Sequence, residues 1–145
     1  MSLKISAYTQ VHTSKLREVF LESRKLAFPW KDPKEFRLNH FDEVIKDEKV
    51  LVALHDDIPI GFIAWWPPAS FIHSLFIDPN FVGRGIGKLL LEGCMEQISL
   101  PASLKCLKAN EAALRFYKKH SWVIEDSGLS PDGDYFLLSF GKNND

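Results

Sequence analysis

Residues 82–87 read Val-Gly-Arg-Gly-Ile-Gly and join a strand-like run, 71–77, to a helix-like run, 88–98. A chain that leaves a strand through glycines and restarts as a helix presents the first-turn N–H groups of that helix without intrahelical partners. Those groups and the helix dipole attract an anion, and the missing Cβ atoms of Gly83, Gly85 and Gly87 let a ligand approach the backbone closely. Arg84 and Lys88 add fixed positive charge. The segment therefore predicts a cradle for a pyrophosphate-bearing ligand.

Spacing excludes two familiar phosphate loops. A Walker loop ending at Gly87-Lys88 requires Gly at 82 and a hydroxyl at 89, where Val82 and Leu89 stand. A dinucleotide fingerprint beginning at Gly83 or Gly85 requires Gly or Ala at 88 or 90, where Lys88 and Leu90 stand. A glycine-rich turn without function is the remaining alternative, and a second motif has to decide against it.

The run from Ile77 through Asp78, Pro79, Asn80, Phe81 and the glycines to Leu90 resembles the acetyl-coenzyme A motif of the GNAT N-acetyltransferase superfamily, whose core is Gln/Arg-x-x-Gly-x-Gly/Ala. Val82 stands where Gln or Arg is usual, which removes one side-chain contact from a site held largely by backbone amides. Residues 110–122 resemble the second signature of the same superfamily, Asn-x-x-Ala-x-x-Phe-Tyr-x-x-x-Gly-Phe, through Asn110, Ala113, Phe116 and Tyr117. Ser121 and Trp122 replace its Gly and Phe. The two motifs occur in the family's order, and the resemblance is weakest before residue 50.

The resemblance implies an α/β fold with a mixed, mostly antiparallel sheet of six to seven strands flanked by about four helices. Two neighbouring central strands, 71–77 and 104–107, are expected to splay. It also implies acetyl-coenzyme A as co-substrate: pantetheine against the backbone of Leu75, Phe76 and Ile77, and pyrophosphate on Val82, Gly83, Arg84, Gly85, Ile86, Gly87 and Lys88. Asn110 is placed near the pantetheine or phosphate, and the Tyr117 hydroxyl beside the thioester sulfur, where it would protonate the departing thiolate. The implied reaction is acetyl transfer to a primary amine of a small molecule or protein, by direct attack in a ternary complex. A non-catalytic acyl-coenzyme A sensor and an acyltransferase using a longer acyl chain are the alternatives on the same scaffold.

At 145 residues, 46% hydrophobic and 26% charged, the chain suits one domain with a substantial core. A net charge of −1 gives no general nucleic-acid or membrane surface, and Lys118-Lys119 reads as a solvated helix face. Cys94 and Cys106 lack metal or redox spacing, so no metal is expected. No apolar run reaches bilayer length, and residues 1–10 lack the basic and apolar regions of a signal peptide, so the cytoplasm is the expected location.

Periodicity predicts strands at 3–8, 50–54, 60–66, 71–77 and 104–107, and a last hairpin of 122–126 with 135–140. Helices are predicted at 14–27, capped by Thr13 or Ser14, at 34–47, at 85–98 and at 110–120. Residues 28–33 break the chain, 55–59 form a hairpin turn, and the 143–145 tail is expected to fray.

Two residues carry a packing role beside a chemical one. Ala113, Phe116 and Tyr117 share a helix face, so Tyr117 packs whatever its chemistry, and Asn110 can cap the helix that it opens. The general base is the least legible part. His73, on the 71–77 strand and of the same parity as Leu75 and Ile77, is the candidate, since an imidazole titrates near neutral pH. Asp134 and Glu125 on the last hairpin are weaker alternatives, with solvated turn charge as their other reading. Phe28, Trp30, Trp65 and Trp66 are candidates to wall an amine pocket. Strand alternation sends one of Trp65 and Trp66 inward to the core and the other outward, to a pocket or a homodimer contact.

Overall fold

Burial on both sides of one hairpin sets the architecture. In β2 (Lys49–His55) and β3 (Ile58–Trp66) residues of both parities are buried, which requires a layer on each face of the sheet. The computed structural model describes residues 2–142, and the tail expected to fray lies outside the described residues. The other strands are β1 (Leu3–Ala7), β4 (Phe71–Ile77), β5 (Ala102–Leu107), β6 (Val123–Gly128) and β7 (Tyr135–Phe140). The helices among the described residues are α1 (Thr13–Ala27), α2 (His40–Val44), α3 (Ile86–Gln97) and α4 (Glu111–Lys119). One seven-stranded sheet runs in the order β1-β2-β3-β4-β5-β7-β6, and every neighbouring pair is antiparallel except β4 with β5. This is the mixed, mostly antiparallel sheet that the resemblance implies.

Each face has its own core. On one, Leu51, Ala53, Ile63 and Trp65 pack with Leu90, Leu91 and Cys94 of α3 and with Tyr117 of α4. On the other, Val52, Leu54, Phe62 and Ala64 pack with Leu16 and Phe20 of α1 and Phe41 of α2. Phe20, Phe41, Phe62 and Phe76 meet there mostly edge to face, with centroids 5.0–6.4 Å apart. Such pairs add about 0.5–1.5 kcal/mol each beyond the area they bury.

Two local features depart from simple periodicity. The β2–β3 turn tightens to Asp56-Asp57, both at positive φ (49° and 68°), as a two-residue hairpin turn demands. The helix predicted over 34–47 shrinks to α2. Asp32 caps a single 3₁₀ turn, Pro33–Glu35, and Phe36 then turns extended, at φ −89° and ψ 133°. Phe36 is 7% exposed and lies beneath the Arg24 guanidinium, so tertiary packing breaks a helix that side-chain spacing favours. Arg17 and Asp42, 2.6 Å apart, join α1 to α2, and their partial exposure keeps the pair's worth modest.

Candidate active site

The sheet opens between β4 and β5. Their parallel ladder holds at Phe71↔Ser103 and Ile72↔Leu104 and then stops, while β4 continues along β3 to Gly61↔Ile77 and β5 continues along β7 to Leu107↔Tyr135. The strands diverge where the resemblance implies a splay. Residues 73–77 and 105–107 therefore have one backbone edge without a neighbouring strand, and a cavity of about 180 Å³ occupies the gap.

A β-bulge shapes the wall of this gap. Ala64 pairs with Ser74 and Trp65 with Ile72, so His73 is the extra residue of β4. The bulge reverses the parity of the strand, and Ile72 joins the same core as Leu75 and Ile77. His73 thus does not share their face, contrary to strict alternation. Its side chain is 48% exposed and its Nδ1 meets Glu48 Oε1 at 2.7 Å. With the carboxylate accepting, Nδ1 is the donor, and Nε2 is the ring nitrogen that Glu48 does not engage. The Glu48 side chain is 3% exposed, so the pair is sheltered from the acid side only. Glu48 has no distinguishing neighbour in the sequence, and the sheet alone brings it to His73, 25 residues away.

Tyr117 and Asn110 reach the gap from α4. Tyr117 is 9% exposed, its ring set edge to face with Phe116 and Trp122. Burial, aided by the nearby Cys106 and Cys94, raises the pKa of its phenol, so the hydroxyl keeps its proton through the alkaline range. That hydroxyl has no hydrogen-bond partner among the described residues and is not sealed from solvent, so it opens on the cavity that the residue lines. Asn110 Oδ1 accepts from the Ala113 N–H at 3.1 Å, which makes Asn110 the N-cap of α4 as well as a lining residue. The Ser74 hydroxyl is in the same state as that of Tyr117: 5% exposed as a residue, without a protein partner and facing the cavity. Cys106 also lines the gap, with its pKa raised by burial, and burial in the core pushes the Cys94 thiol up to about 12. Neither thiol is a thiolate near neutral pH.

The glycine segment forms an exposed turn ahead of α3. Gly83 and Gly85 hold φ of 85° and 77°, and a Cβ at either would meet nothing within 4 Å, so the requirement there is left-handed backbone rather than space. No side chain caps α3, whose Ncap is Gly85, so its first N–H groups are available to an anion. Arg84 lies over the Phe81 ring at 5.0 Å and is in no ion pair among the described residues, while Lys88 stands 3.9 Å from Glu92. This donor set fits a pyrophosphate.

The acceptor-side candidates separate. Phe28 lines both the gap and a second cavity of about 390 Å³ between α1, α2 and β4, and His73, Ser74 and Phe76 line both as well. Trp30 stacks edge-on against Phe28 at 5.6 Å but is 52% exposed and lines neither cavity. Trp65, 1% exposed, is a core residue on the α3 side, and Trp66 is the outward one, 42% exposed. Neither borders the two cavities. Arg24 and Glu43, which the sequence does not single out, line the larger cavity. Glu125 bonds Ser139 and Lys142, contacts that lower its pKa, and like Asp134 it borders neither cavity. A further concavity, about 520 Å³ along α1 and residues 78–80, shares no residue with either.

Comparison with known proteins agrees with this geometry. Residues 14–122 match the profile of the acetyltransferase (GNAT) family. The peptidyl-lysine N-acetyltransferase YjaB of Salmonella typhimurium is 30% identical over 83 residues, which cover 57% of this chain and 55% of that protein, so the match spans about half of the relative's length. An uncharacterized N-acetyltransferase of Archaeoglobus fulgidus is 33% identical over 107 residues, covering 63% of this chain and 73% of that protein. The PaiA N-acetyltransferase of Thermoplasma acidophilum, solved in complex with coenzyme A, shares the fold with a TM-score of 0.78 at 22% identity, over 96% of this chain and 98% of that one. No helix among the described residues is long and apolar enough to cross a membrane. The match over residues 14–122 shows the lineage: this chain belongs to the acetyltransferase (GNAT) family.

Proposed function

We propose that this protein transfers the acetyl group of acetyl-coenzyme A to a primary amine by direct attack in a ternary complex. The observation that carries the reading is that His73 of β4 and Tyr117 of α4 line one cavity, at the interrupted β4–β5 ladder. Acetyl-coenzyme A supplies the acetyl group as a thioester. The turn at residues 82–88 would hold its pyrophosphate on backbone N–H groups with Arg84 and Lys88 beside it, and the free edge of β4 at residues 75–77 would hold its pantetheine. A backbone N–H aimed at the thioester oxygen contributes a few kcal/mol to the rate.

The side chains divide the proton traffic. His73, held by Glu48, accepts the proton that the amine must lose as its nitrogen bonds to the carbonyl carbon. Tyr117 gives its proton to the sulfur as the carbon–sulfur bond breaks. Each such transfer contributes roughly 10²–10⁴-fold. Cys106, close by, stays protonated, which favours direct attack over an acetyl-cysteine route. Two unpaired buried thiols are in keeping with a cytoplasmic protein.

Thermal unfolding with acetyl-coenzyme A, coenzyme A and ATP in parallel, followed by thiol release across an amine panel, tests the reading. The expected result is a melting-temperature rise with the first two only, together with amine-dependent thiol release. A rise with thiol release from no amine would make the protein an acyl-coenzyme A sensor. No rise at all would return the glycines to a plain turn.

A further inference from the structure

Arg24 is the cation of the acceptor side, and its surroundings are unusual. Its guanidinium lies 4.7 Å from the Phe20 ring centre and 4.4 Å from that of Phe36, so its position is fixed between two aromatic rings. Its NH1 group donates to His40 Nδ1 at 3.1 Å. Arginine has no acceptor atom, so this ring nitrogen accepts, as it does from the Arg37 N–H at 3.3 Å. Arg24 has no carboxylate partner within ion-pair distance among the described residues, although Asp42, Asp132 and Glu125 all take cations elsewhere. Asp132, the acid whose field reaches Arg24, is bound by Lys31. Burial lowers the pKa of Arg24 and leaves a partly desolvated, still charged guanidinium with donors to spare. A cation so placed stays costly until an anion arrives.

We propose that the acceptor carries a carboxylate in the same molecule as its amine, and that Arg24 holds that carboxylate while the amine lies at His73. The proposal rests on the acetyl-transfer reading of the β4–β5 gap. Arg24 and His73 line one cavity, and Phe28, His73, Ser74 and Phe76 are walls common to it and to the gap. The planar fork of a guanidinium matches a carboxylate with two parallel hydrogen bonds. No lysine and no second arginine lines this cavity, so a dianionic phosphate would be undercompensated. Glu43, exposed on the same wall and in no ion pair among the described residues, marks the rival: an acceptor with a second ammonium instead of a carboxylate.

Thiol release with acetyl-coenzyme A is measured on α- and ω-amino carboxylates, each against its carboxamide, with unbranched diamines as a third arm. The acids are expected to exceed their amides by roughly 10- to 100-fold in kcat/KM. Arg24→Gln removes that preference by lowering the rate on the acids far more than the rate on the amides, and Arg24→Lys retains part of it. An unchanged melting-temperature rise with coenzyme A shows that each variant is folded. Equal rates for acids and amides, a preference for diamines lost in Glu43→Gln, or an equal loss on acids and amides in Arg24→Gln overturns the proposal. If no amine releases thiol, the transferase reading fails on its own account, and the carboxylate site is judged by binding. N-acetyl amino acids must then raise the melting temperature of the coenzyme A complex more than their amides do, in an Arg24-dependent way. Equal shifts, or none, overturn it.

Discussion

The two edges of β4 differ, and the difference locates the chemistry. Toward β3 the ladder runs from Trp66↔Phe71 to Gly61↔Ile77, interrupted only by the extra residue His73. Toward β5 it ends after Ile72↔Leu104. A complete ladder satisfies its own backbone groups and presents apolar side chains to a core. An interrupted one leaves N–H and C=O groups that water or a ligand must satisfy. Two buried polar side chains without protein partners among the described residues, Tyr117 and Ser74, line the gap at the open edge. Arg84 and the uncapped start of α3 lie on the connection that leaves β4. The site is thus made by stopping a regular structure, and the side chains around the gap supply what the missing strand would have.

The contrast is broken most severely by removing the proposed proton donor at the open edge. Tyr117→Phe is expected to lower kcat by about 10²–10³-fold, with the melting-temperature rise on coenzyme A unchanged. Steady-state thiol release and thermal unfolding check the two halves, and a retained kcat would make the residue purely a packing one. Next in size is Gly85→Val. A β-branched side chain at φ 77° is strained by more than about 1–2 kcal/mol and would distort the turn. The KM for acetyl-coenzyme A should rise by about tenfold or more, with a smaller change in the amine KM.

Glu48→Ala tests whether the bulge works through its partner. It should lower kcat by about tenfold and leave the KM for acetyl-coenzyme A alone, because Glu48 positions His73 rather than touching ligand. Glu48→Gln, which still offers an oxygen to Nδ1, should recover most of the loss. A uniform fall in stability and in every kinetic constant would reduce the pair to a structural one.

Buried protons in and beside the gap give a smaller, pH-dependent effect. Burial raises the pKa values of Cys94, Cys106 and Tyr117 above their ordinary 9.0, 9.0 and 10.0, so the folded state holds these protons more tightly than the unfolded chain. Their contribution to stability is full below pH 9 and is lost as pH rises beyond it, because the unfolded chain ionises first. Urea titrations at pH 7.5 and 10 should show the decline, and Cys94→Ala combined with Cys106→Ala should flatten it. The smallest effect concerns Ser121, where the family motif has Gly. It sits at φ 72°, so Ser121→Gly should stabilise the fold by about 1 kcal/mol without altering turnover. A loss of stability would mean that the Ser121 side chain has a role its φ conceals.

Several elements were readable one segment at a time because their signals are local. The central and last hairpins, the helix before the break, the glycine turn and the Asn110 cap each follow from periodicity or from a residue suited to one backbone shape. The helix expected over 34–47 failed where locality fails, since Phe36 leaves helical geometry to lie under Arg24. The inward choice between Trp65 and Trp66 could not be made from alternation, which fixes that they differ but not which one meets α3. The face of His73 was misassigned because a bulge inserts a residue against a partner strand, and no single strand records its partner's register.

By itself, then, the sequence determined the glycine turn that opens α3, the order of strands and helices, the α4 face that carries Tyr117, and through two motifs the family to which the chain belongs. These are encoded in short runs whose backbone preferences act without distant partners. Only the tertiary structure decided the width of the β4–β5 gap, the meeting of Glu48 with His73, and the place of Arg24 between two phenylalanine rings. Each of those depends on where strands stop pairing and which residues, tens of positions apart, are then brought together.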